Sequence, residues 1–520
     1  MKNGTFRDTL NRRVIDPDSR NRWITRVYMV FALLMLMHHV YVTIFFAAPE
    51  NGAITFRIPW LLLACATVLL GRMWKDKCFW ILLALLLMKI LRVAIPMRQV
   101  LRETQAIYEL CMYAFFICYG VSRALNRKDR ERFISLFCGL WTAAMAVYAC
   151  FGLVTVWNNI TIPNLGNKSF YIDISESRLW PVYHPVEAGT MTSLGIAVAA
   201  VGWFMTKRKA LRWLYLPAML LMFLMGIFCS SRTGYVLTAA GAGVPAAILA
   251  YELLSKWKKQ GKAFTALRLA GAFAAFAAAA ALLLVIQMKA IPVYNSLRSH
   301  SAGLISAAAA EEAEQAEAEE ISAEEEDIDH EDAEEIPAEE DDDHEEAELS
   351  TRDFVLDQGA NGFLTDRWAI WIHVCDGFQH YPIYMLIGQG VYDSMHHINY
   401  FIRFGNGQAY IYHLHSTFIQ TLWESGIPGF VLFAAFFLIF AWNAVGLVRN
   451  RDLPLWQRVL PLPAALCWLA DMVDVAGYCN YGKPPMTILY LFTGLTIAIA
   501  RENRKQKKVQ KEADAQETLS

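Results

Sequence analysis

The sequence predicts an all-α protein, a polytopic membrane helix bundle of about twelve transmembrane helices with a large extracytoplasmic loop. Of the 520 residues, 56% are hydrophobic and 18% are charged, which is too apolar for an ordinary soluble protein. Apolar runs of roughly 20 residues, the length that a helix needs to cross a bilayer, recur along the chain. Clusters of Lys and Arg follow every second run, which is typical of loops that stay in the cytoplasm.

The apolar runs give the order of the predicted spans. The first run follows an Arg-rich stretch and has no small-residue cleavage site, so we expect a retained helix and not a signal peptide. The spans lie near residues 24–47, 57–71, 78–95, 104–124, 133–157, 186–206, 211–230, 233–254, 265–290, 416–447, 461–479 and 484–500.

Basic residues predict how the bundle is oriented. The basic segments are the two termini and the loops 72–77, 123–132, 207–212, 256–262 and 449–458. Both termini are therefore expected inside, and segments 158–185 and 291–415 outside. Arg98 and Arg102 depart from this alternation. They either reach the interface with their long side chains or line a site for anions.

These features divide the chain into five predicted parts. They are a cytoplasmic basic arm at 1–23, transmembrane helices one to nine at 24–290, an extracytoplasmic loop at 291–415 with an acidic low-complexity insert at 306–350, transmembrane helices ten to twelve at 416–500, and a cytoplasmic tail at 501–520.

The acidic insert distorts the overall charge. It holds 23 carboxylates between Glu311 and Glu348 and no Lys or Arg, which leaves 26 acidic against 47 basic residues elsewhere, a net +21. We expect the insert to be disordered or a solvated, frayed helix. It is either a tolerated insertion or a segment that repels acidic glycans or binds cations. The basic remainder suits loops near anionic lipid or a site for anionic substrates.

Arg232 is a first candidate for binding an anion. It follows Cys229-Ser-Ser in a tight turn between the seventh and eighth predicted helices, on the outer side. An arginine at this depth faces a watery cavity, a carboxylate or a phosphate, or else reaches the interface. The small residues around it favour close approach by a ligand.

Arg367 and Trp371 form a second candidate. They are four residues apart, so on a helix they share one face, with the guanidinium beside an aromatic surface. The alternative is an arginine that pairs locally with Asp366 or stacks on a tryptophan.

Histidines near the predicted tenth helix could carry proton transfer. His413 and His415 precede it at the outer face, where an imidazole can accept a proton near neutral pH. A structural role for each is the alternative. Glu424, with the glycines that follow it, is expected to serve capping and close packing.

His184 and Glu187 open the sixth predicted helix from outside. Pro185 suits a first helical turn and Glu187 suits the positive end of the helix dipole. Both could therefore be capping residues, or could meet a substrate. Asp471 and Asp474 share a face of the eleventh helix and must face the interior, either paired with a basic residue or as a proton relay.

Together these segments resemble the O-antigen ligase and polymerase superfamily of bacterial membrane glycosyltransferases. The matching pieces are His184-Pro185 with Gly189, Ser231-Arg232-Thr233-Gly234, Arg367 with Trp371 and Gly388-Gln-Gly390, and His415-Ser416 with Glu424-Ser-Gly-Ile-Pro-Gly429. The order and spacing of these pieces agree over residues 180 to 445. Ser416 stands where the family usually has Asn, which weakens the inference about the acceptor.

The resemblance implies a GT-C-type bundle in the bacterial cytoplasmic membrane with an extracytoplasmic active site. The implied donor is a glycan on undecaprenyl diphosphate, and the acceptor is a glycan, lipid or protein hydroxyl. Arg232 and Arg367 match the diphosphate-binding arginines of the family, and His415 matches its proposed catalytic base. His184, Glu187, Trp371 and His413 are the further candidates for substrate binding. The implied reaction is inverting and independent of metal.

The residues exclude several other functions. The ten cysteines form no CxxC pair, and no Gly-rich phosphate loop, DxD-like pair near these groups or His/Cys cluster is present. We therefore expect no metal, cofactor or nucleic-acid partner. Two alternatives remain. One is a lipid-glycan flippase or transporter, for which two aspartates within a span would be suitable. The other is a non-enzymatic membrane scaffold.

Overall fold

Helices account for nearly all of the described chain, which confirms the predicted all-α class. The computed structural model describes residues 22–46, 57–93, 113–163, 169–173, 178–182, 184–255, 262–323, 367–388, 403–404, 407–408, 414–473 and 484–519. His413, Asp474 and most of the acidic insert lie outside these residues. The helices are α1 (Arg22–Phe46), α2 (Arg57–Gly71), α3 (Lys77–Val93), α4 (Val121–Ala124), α5 (Arg127–Asn158), α6 (Pro185–Met205), α7 (Lys209–Trp213), α8 (Tyr215–Phe228), α9 (Arg232–Ser255), α10 (Lys262–Ala323), α11 (Arg367–His380), α12 (Ile383–Ile387), α13 (Thr417–Arg449), α14 (Leu455–Val459), α15 (Leu462–Val473) and α16 (Pro484–Leu519), with a π-helix at Tyr113–Cys118 and a 3-10 turn at Met73–Lys75.

Among the described residues, eight helical segments are long and apolar enough to cross a membrane by length and composition. They are Trp23–Tyr41, Arg127–Asn158, Pro185–Met205, Lys209–Phe228, Arg232–Leu254, Thr265–Ser296, Thr417–Arg449 and Pro484–Val509. Ile58–Gly71 and Lys77–Met88 are shorter apolar helices. These segments coincide with predicted spans and make the chain a polytopic membrane protein. The count of twelve and the GT-C-type arrangement stay predictions.

Two helices continue past their predicted ends. Helix α10 runs on from the predicted span end at 290 to Ala323, and α16 continues from its span through the predicted tail to Leu519. Both extensions are rich in Ala, Glu, Lys or Gln, which favour helix strongly. Hydropathy marks where a span ends, but helix propensity decides where the helix ends.

A small sheet, which the sequence analysis did not predict, lies in the segment between α5 and α6. Its strands are β1 (Ile162–Pro163), β2 (Ser169–Asp173) and β3 (Arg178–Pro181), antiparallel in the order β1-β2-β3. The Tyr148 hydroxyl on α5 donates to the Pro181 carbonyl at 2.6 Å, which fastens β3 to the bundle. A separate pair, β4 (Arg403–Phe404) and β5 (Gly407–Gln408), is also antiparallel.

An aromatic cluster packs α13 against α15. The Trp468 ring lies 5.1 Å from the rings of Phe433 and Phe437, with Phe436 and Phe440 within 6.3 Å, measured between centroids. Lipid is as apolar as these side chains, so close packing rather than escape from water favours helix association within a bilayer. Such ring pairs stabilise by about 0.5–1.5 kcal/mol each beyond their buried area.

Three loops that the sequence predicts to be cytoplasmic, 72–77, 123–132 and 449–458, meet α16 and the end of α9 at one end of the bundle, called here the basic end. Arg130 at the start of α5 pairs with Glu502 on α16, and Arg458 on α14 pairs with Glu252 near the end of α9. Arg451 contacts the Tyr251 ring, also near the end of α9. These contacts place the described basic loops at one end of the bundle, and the side of the membrane on which that end lies stays a prediction.

Asp76 is the most connected carboxylate of the basic end. It accepts hydrogen bonds from Arg501 at 2.6 Å and Tyr119 at 2.7 Å, and Arg123 lies 3.3 Å away. Its side chain also accepts from the backbone N–H of Cys78 and so caps α3. Burial acts to raise the pKa of Asp76, but Arg123, Tyr119 and Arg501 together lower it below its ordinary value. Asp76 is therefore an ion that joins α3, α4 and α16.

We predict that Asp76→Asn lowers the free energy of unfolding by about 3 kcal/mol near neutral pH, because two arginines lose a buried partner. Asp452→Asn, which removes an exposed partner of Lys507, is the matched control and should be much less destabilising than Asp76→Asn. Since the folded-state pKa of Asp76 is lowered, its contribution is present above about pH 4 and lost as the pH falls through that pKa. Unfolding in detergent across this pH range measures both effects. Equal stability of the two variants near neutral pH would refute the role of Asp76.

Candidate functional site

Arg232 and the turn that contains His415 lie at helix starts at the end opposite the basic end. Helix α9 has Glu252 at the basic end and Arg232 at its start, one helix length away. Helix α13 ends at Arg449, next to the basic loop that includes Arg451, and begins at Thr417. The starts of α9 and α13 therefore point away from the basic loops.

Glycines bring the start of α6 against the start of α9. A Cβ on Gly234 would lie 2.9 Å from the Cα of Gly189, and a Cβ on Gly189 would lie 2.8 Å from the Cβ of Ser231. Any side chain at either position would separate the helices. The Gly189 and Gly234 of the predicted motifs therefore place the His184 and Arg232 segments side by side.

Small hydroxyl side chains extend the same contact. The Ser193 hydroxyl lies 2.7 Å from the Gly189 carbonyl, 3.0 Å from the Gly234 carbonyl and 2.8 Å from the Thr238 hydroxyl. Interhelical hydrogen bonds between small residues are a typical means of helix association in membranes. This network fixes the position of α9 along the axis of α6, and so fixes the position of Arg232 relative to the first turn of α6.

Arg232 occupies the first position of α9, after a constrained turn. Ser230 has a φ of +46°, and the Ser231 hydroxyl caps the helix by accepting from the Gly234 N–H at 3.1 Å. The Tyr235 hydroxyl donates to the Ile227 carbonyl at 2.8 Å and ties the turn to α8. A cation at a helix start opposes the helix dipole. Arg232 is therefore placed where local helix stability does not favour it, as is frequent at functional sites.

Arg178 is a second cation near this turn, and the sequence analysis did not select it. It lies on β3 and is 2% exposed. Burial raises the pKa of the Cys229 thiol to about 12, although the charge of Arg178 acts in the opposite direction. The only signal for Arg178 in the sequence is its positive charge, in a loop that has no clear hydrophobic periodicity.

His184 and Glu187 occupy the first turn of α6. The His184 imidazole is exposed, and its Nδ1 accepts from the Val186 N–H at 3.3 Å as the N-cap of the helix. Pro185 is the first helical residue and Glu187 lies in the first turn, half buried. The geometry gives His184 a capping role, and contact of either residue with a substrate stays a proposal.

His415 lies in a short turn whose backbone is fixed on both sides. The Leu414 N–H donates to the Gln420 side chain at 2.9 Å, and the Leu414 carbonyl accepts from the Trp371 indole at 2.9 Å. Gln420 in turn donates to Glu424 at 2.7 Å. His415 itself is half buried with a φ of +51°, a conformation uncommon for residues other than glycine.

Arg367 begins the helix that contacts this turn. Arg367 and Trp371 lie on α11, as their spacing predicted, one turn apart on the same face. Because Trp371 donates to Leu414, the backbone of Arg367 lies about 6 Å along α11 from a residue that contacts the His415 turn. The side chain of Arg367 lies outside the described residues.

The glycines of the Gly388 and Gly426 motifs join α12 to α13. Gly426 has a φ of +65° and interrupts α13, so the predicted continuous tenth helix is two helical segments that meet at this residue. A Cβ on Gly426 would lie 2.8 Å from the Met385 carbonyl, and one on Gly388 would lie 2.2 Å from the Glu424 carbonyl. Gly377 likewise leaves room for the Trp423 ring. Glu424 is therefore part of close packing, as expected.

Helix α15 connects the Arg232 region with the His415 region. It runs antiparallel to α9, because Arg458 before it contacts Glu252 late in α9 and Leu466 contacts Gly241 in the middle of α9. Near its end, the buried Asp471 accepts a hydrogen bond from the Thr417 hydroxyl at 2.7 Å, two residues after His415. The start of α13 and the start of α9 therefore lie on the same side of the Leu466 contact.

The comparisons with known proteins agree with these helices. Residues 217–434 match the family model described as O-Antigen ligase. This segment includes Arg232, Arg367, Trp371 and His415, whereas His184 and Glu187 precede it. The match confirms the resemblance to the O-antigen ligase and polymerase superfamily and supports glycan transfer of that type. No curated protein matches the chain.

We predict that Gly426→Ala lowers the midpoint of thermal unfolding by about 4 °C or more, because the positive φ and the nearby Met385 carbonyl both oppose a side chain. Gly139→Ala is the matched control, since its Cβ would only touch the Tyr215 hydroxyl at 3.6 Å. Unfolding of both variants in the same detergent tests this. A Gly426→Ala protein as stable as the control would contradict the described joint.

Proposed function

Because residues 217–434 match the O-antigen ligase family, we propose that the chain is a membrane glycosyltransferase. It transfers or polymerises a glycan from an undecaprenyl-diphosphate donor onto an acceptor hydroxyl at the extracytoplasmic face of the bacterial cytoplasmic membrane. The observation that carries this proposal is the family match over a segment that contains both Arg232 and His415, each at a helix start remote from the basic end.

The donor would be bound through its diphosphate. Arg232 and Arg367 are the proposed ligands, because a guanidinium is always charged and can hold two phosphate oxygens at once. Arg178, whose charge reaches the Cys229 turn, adds to the positive potential of this region. Charge develops on the diphosphate as it leaves, so cations fixed in place before the reaction stabilise that charge most in the transition state.

His415 is the proposed general base. The acceptor hydroxyl oxygen would attack the anomeric carbon of the donor sugar from the face opposite the diphosphate. As the new carbon–oxygen bond forms, the bond to the diphosphate oxygen breaks, and His415 takes the hydroxyl proton. The lipid diphosphate leaves with the bonding electrons. This single displacement inverts the anomeric centre and needs no metal ion or cofactor.

The fixed backbone around His415 supports this role. The Leu414 hydrogen bonds to Gln420 and Trp371 restrict the turn, and a base placed in advance avoids the entropy of ordering it during the reaction. Trp371, His413, His184 and Glu187 are proposed to contact the glycan portions of donor or acceptor.

A lipid-glycan flippase is the second candidate. The observation in its favour is Asp471, a fully buried carboxylate within the bundle. Its hydrogen bond from Thr417, however, gives it a structural task at the start of α13. The two proposals differ in where the lipid-linked donor accumulates when the protein is inactive.

We predict that Arg232→Ala, Arg367→Ala and His415→Ala each reduce glycan transfer at least about a hundredfold at unchanged protein levels. Arg232→Lys should not restore the rate, because an ammonium cannot hold two phosphate oxygens in the same way. The assay is transfer from a defined lipid-diphosphate oligosaccharide by the purified full chain. Arg212→Ala, which removes a cation stacked on Trp203 near the basic end, is the control and should retain activity.

The same variants expressed in cells distinguish the two candidates. Loss of transfer leaves the lipid-linked donor on the outer face of the membrane, whereas loss of a flippase leaves it on the cytoplasmic face. Accumulation on the cytoplasmic face, or full activity of the His415→Ala enzyme, would refute the proposed transferase.

A further inference from the structure

A groove at the basic end lies between the last turns of the α13 and α16 membrane spans. Its volume is about 450 Å³. One wall includes Trp442, Gly446 and Arg449 on α13, and the other includes Arg504 and Lys507 on α16.

The membrane-facing part of this groove is apolar and open. Trp442 is 75% exposed, and a Cβ on Gly446 would meet no atom within 4 Å. Trp442 and Gly446 are one turn apart on the same face of α13, so the indole borders an empty strip of helix. The strip is shaped for a hydrocarbon chain, and it lies within a helix that is apolar enough to span the membrane.

The part of the groove nearest the basic loops is cationic. Arg449, Arg504 and Lys507 border it at the ends of the two spans. Arg504 donates to the Asn443 side chain at 2.7 Å, and Lys507 donates to Asn450 and Asp452, each at 2.8 Å. The exposed Asp452 carboxylate contacts Lys507, and the hydrogen bonds restrain two of the three cations at the groove.

We propose that this groove binds an anionic phospholipid, with the headgroup phosphate on the three cations and an acyl chain along Trp442 and Gly446. The layout of apolar strip and cationic rim at one level fits an amphipathic anion better than a soluble one. Cationic pockets between transmembrane helices at the cytoplasmic side are known to suit anionic headgroups. A zwitterionic lipid would bring its own cation against Arg449 and Arg504. The site is separate from the proposed active site at the opposite end.

The test measures lipid binding to the purified full chain in nanodiscs or detergent. Phosphatidylglycerol should bind and raise the midpoint of thermal unfolding, whereas phosphatidylcholine and free inorganic phosphate should not. Arg449→Gln combined with Arg504→Gln should weaken phosphatidylglycerol binding about 30-fold, at roughly 1 kcal/mol for each cation removed.

A second variant blocks the groove without changing its charge. Gly446→Leu places a side chain in the open strip and raises helix propensity, so the protein should fold while lipid binding falls at least about tenfold. Lys505→Gln combined with Lys508→Gln removes the same charge from exposed positions on α16 outside the groove and should bind like the parent.

Three results would overturn the proposal. One is equal binding of phosphatidylglycerol to the parent and to the folded Gly446→Leu protein. Another is equal loss of binding in the Lys505/Lys508 control, which would indicate a diffuse charge effect. The third is equal stabilisation by phosphatidylcholine or by inorganic phosphate, which would indicate a general lipid effect or a soluble-anion site.

Discussion

The hydrogen bonds to the Leu414 backbone are the interaction on which the proposed active site depends most. Gln420 fixes the Leu414 N–H to the first segment of α13, and Trp371 fixes its carbonyl to α11. One peptide segment thereby links the helix that carries Arg367 to the turn that carries His415. The close contact of α12 with α13 at Gly388 and Gly426, where no side chain fits, further restrains the first segment of α13. The chemistry of the site is thus built on backbone contacts.

Most of the charged residues described above lie at one of the two ends of the bundle, because an unpaired charge is costly in hydrocarbon. At the basic end, carboxylates such as Asp76 pair with arginines and hold the helices together. At the opposite end, Arg232 follows a strained turn at a helix start that does not favour a cation. The ion pairs of the basic end thus hold its helices together, and Arg232 at the opposite end is the residue that we propose to bind the donor diphosphate.

Local patterns predicted much of the fold and part of the site. Pro185, Arg232 and Thr417 begin helices as the sequence indicated, because first-turn residues and apolar periodicity act over a few neighbouring positions. The break at Gly426 was missed, since it lies inside a continuous apolar run and depends on α12 packing against it. Arg178 and the small sheet were missed for a similar reason. The placement of the sheet depends on its hydrogen bond to α5, which is distant in sequence.

The central claim is that Arg232, Arg367 and His415 converge on one lipid diphosphate at the end opposite the basic loops. The most direct measurement is an experimental structure of the full chain with an undecaprenyl-diphosphate glycan bound. The account predicts phosphate oxygens within hydrogen-bonding distance of both guanidinium groups, and the His415 imidazole on the opposite side of the anomeric carbon. A diphosphate bound among the basic loops, or contacted by neither arginine, would contradict it.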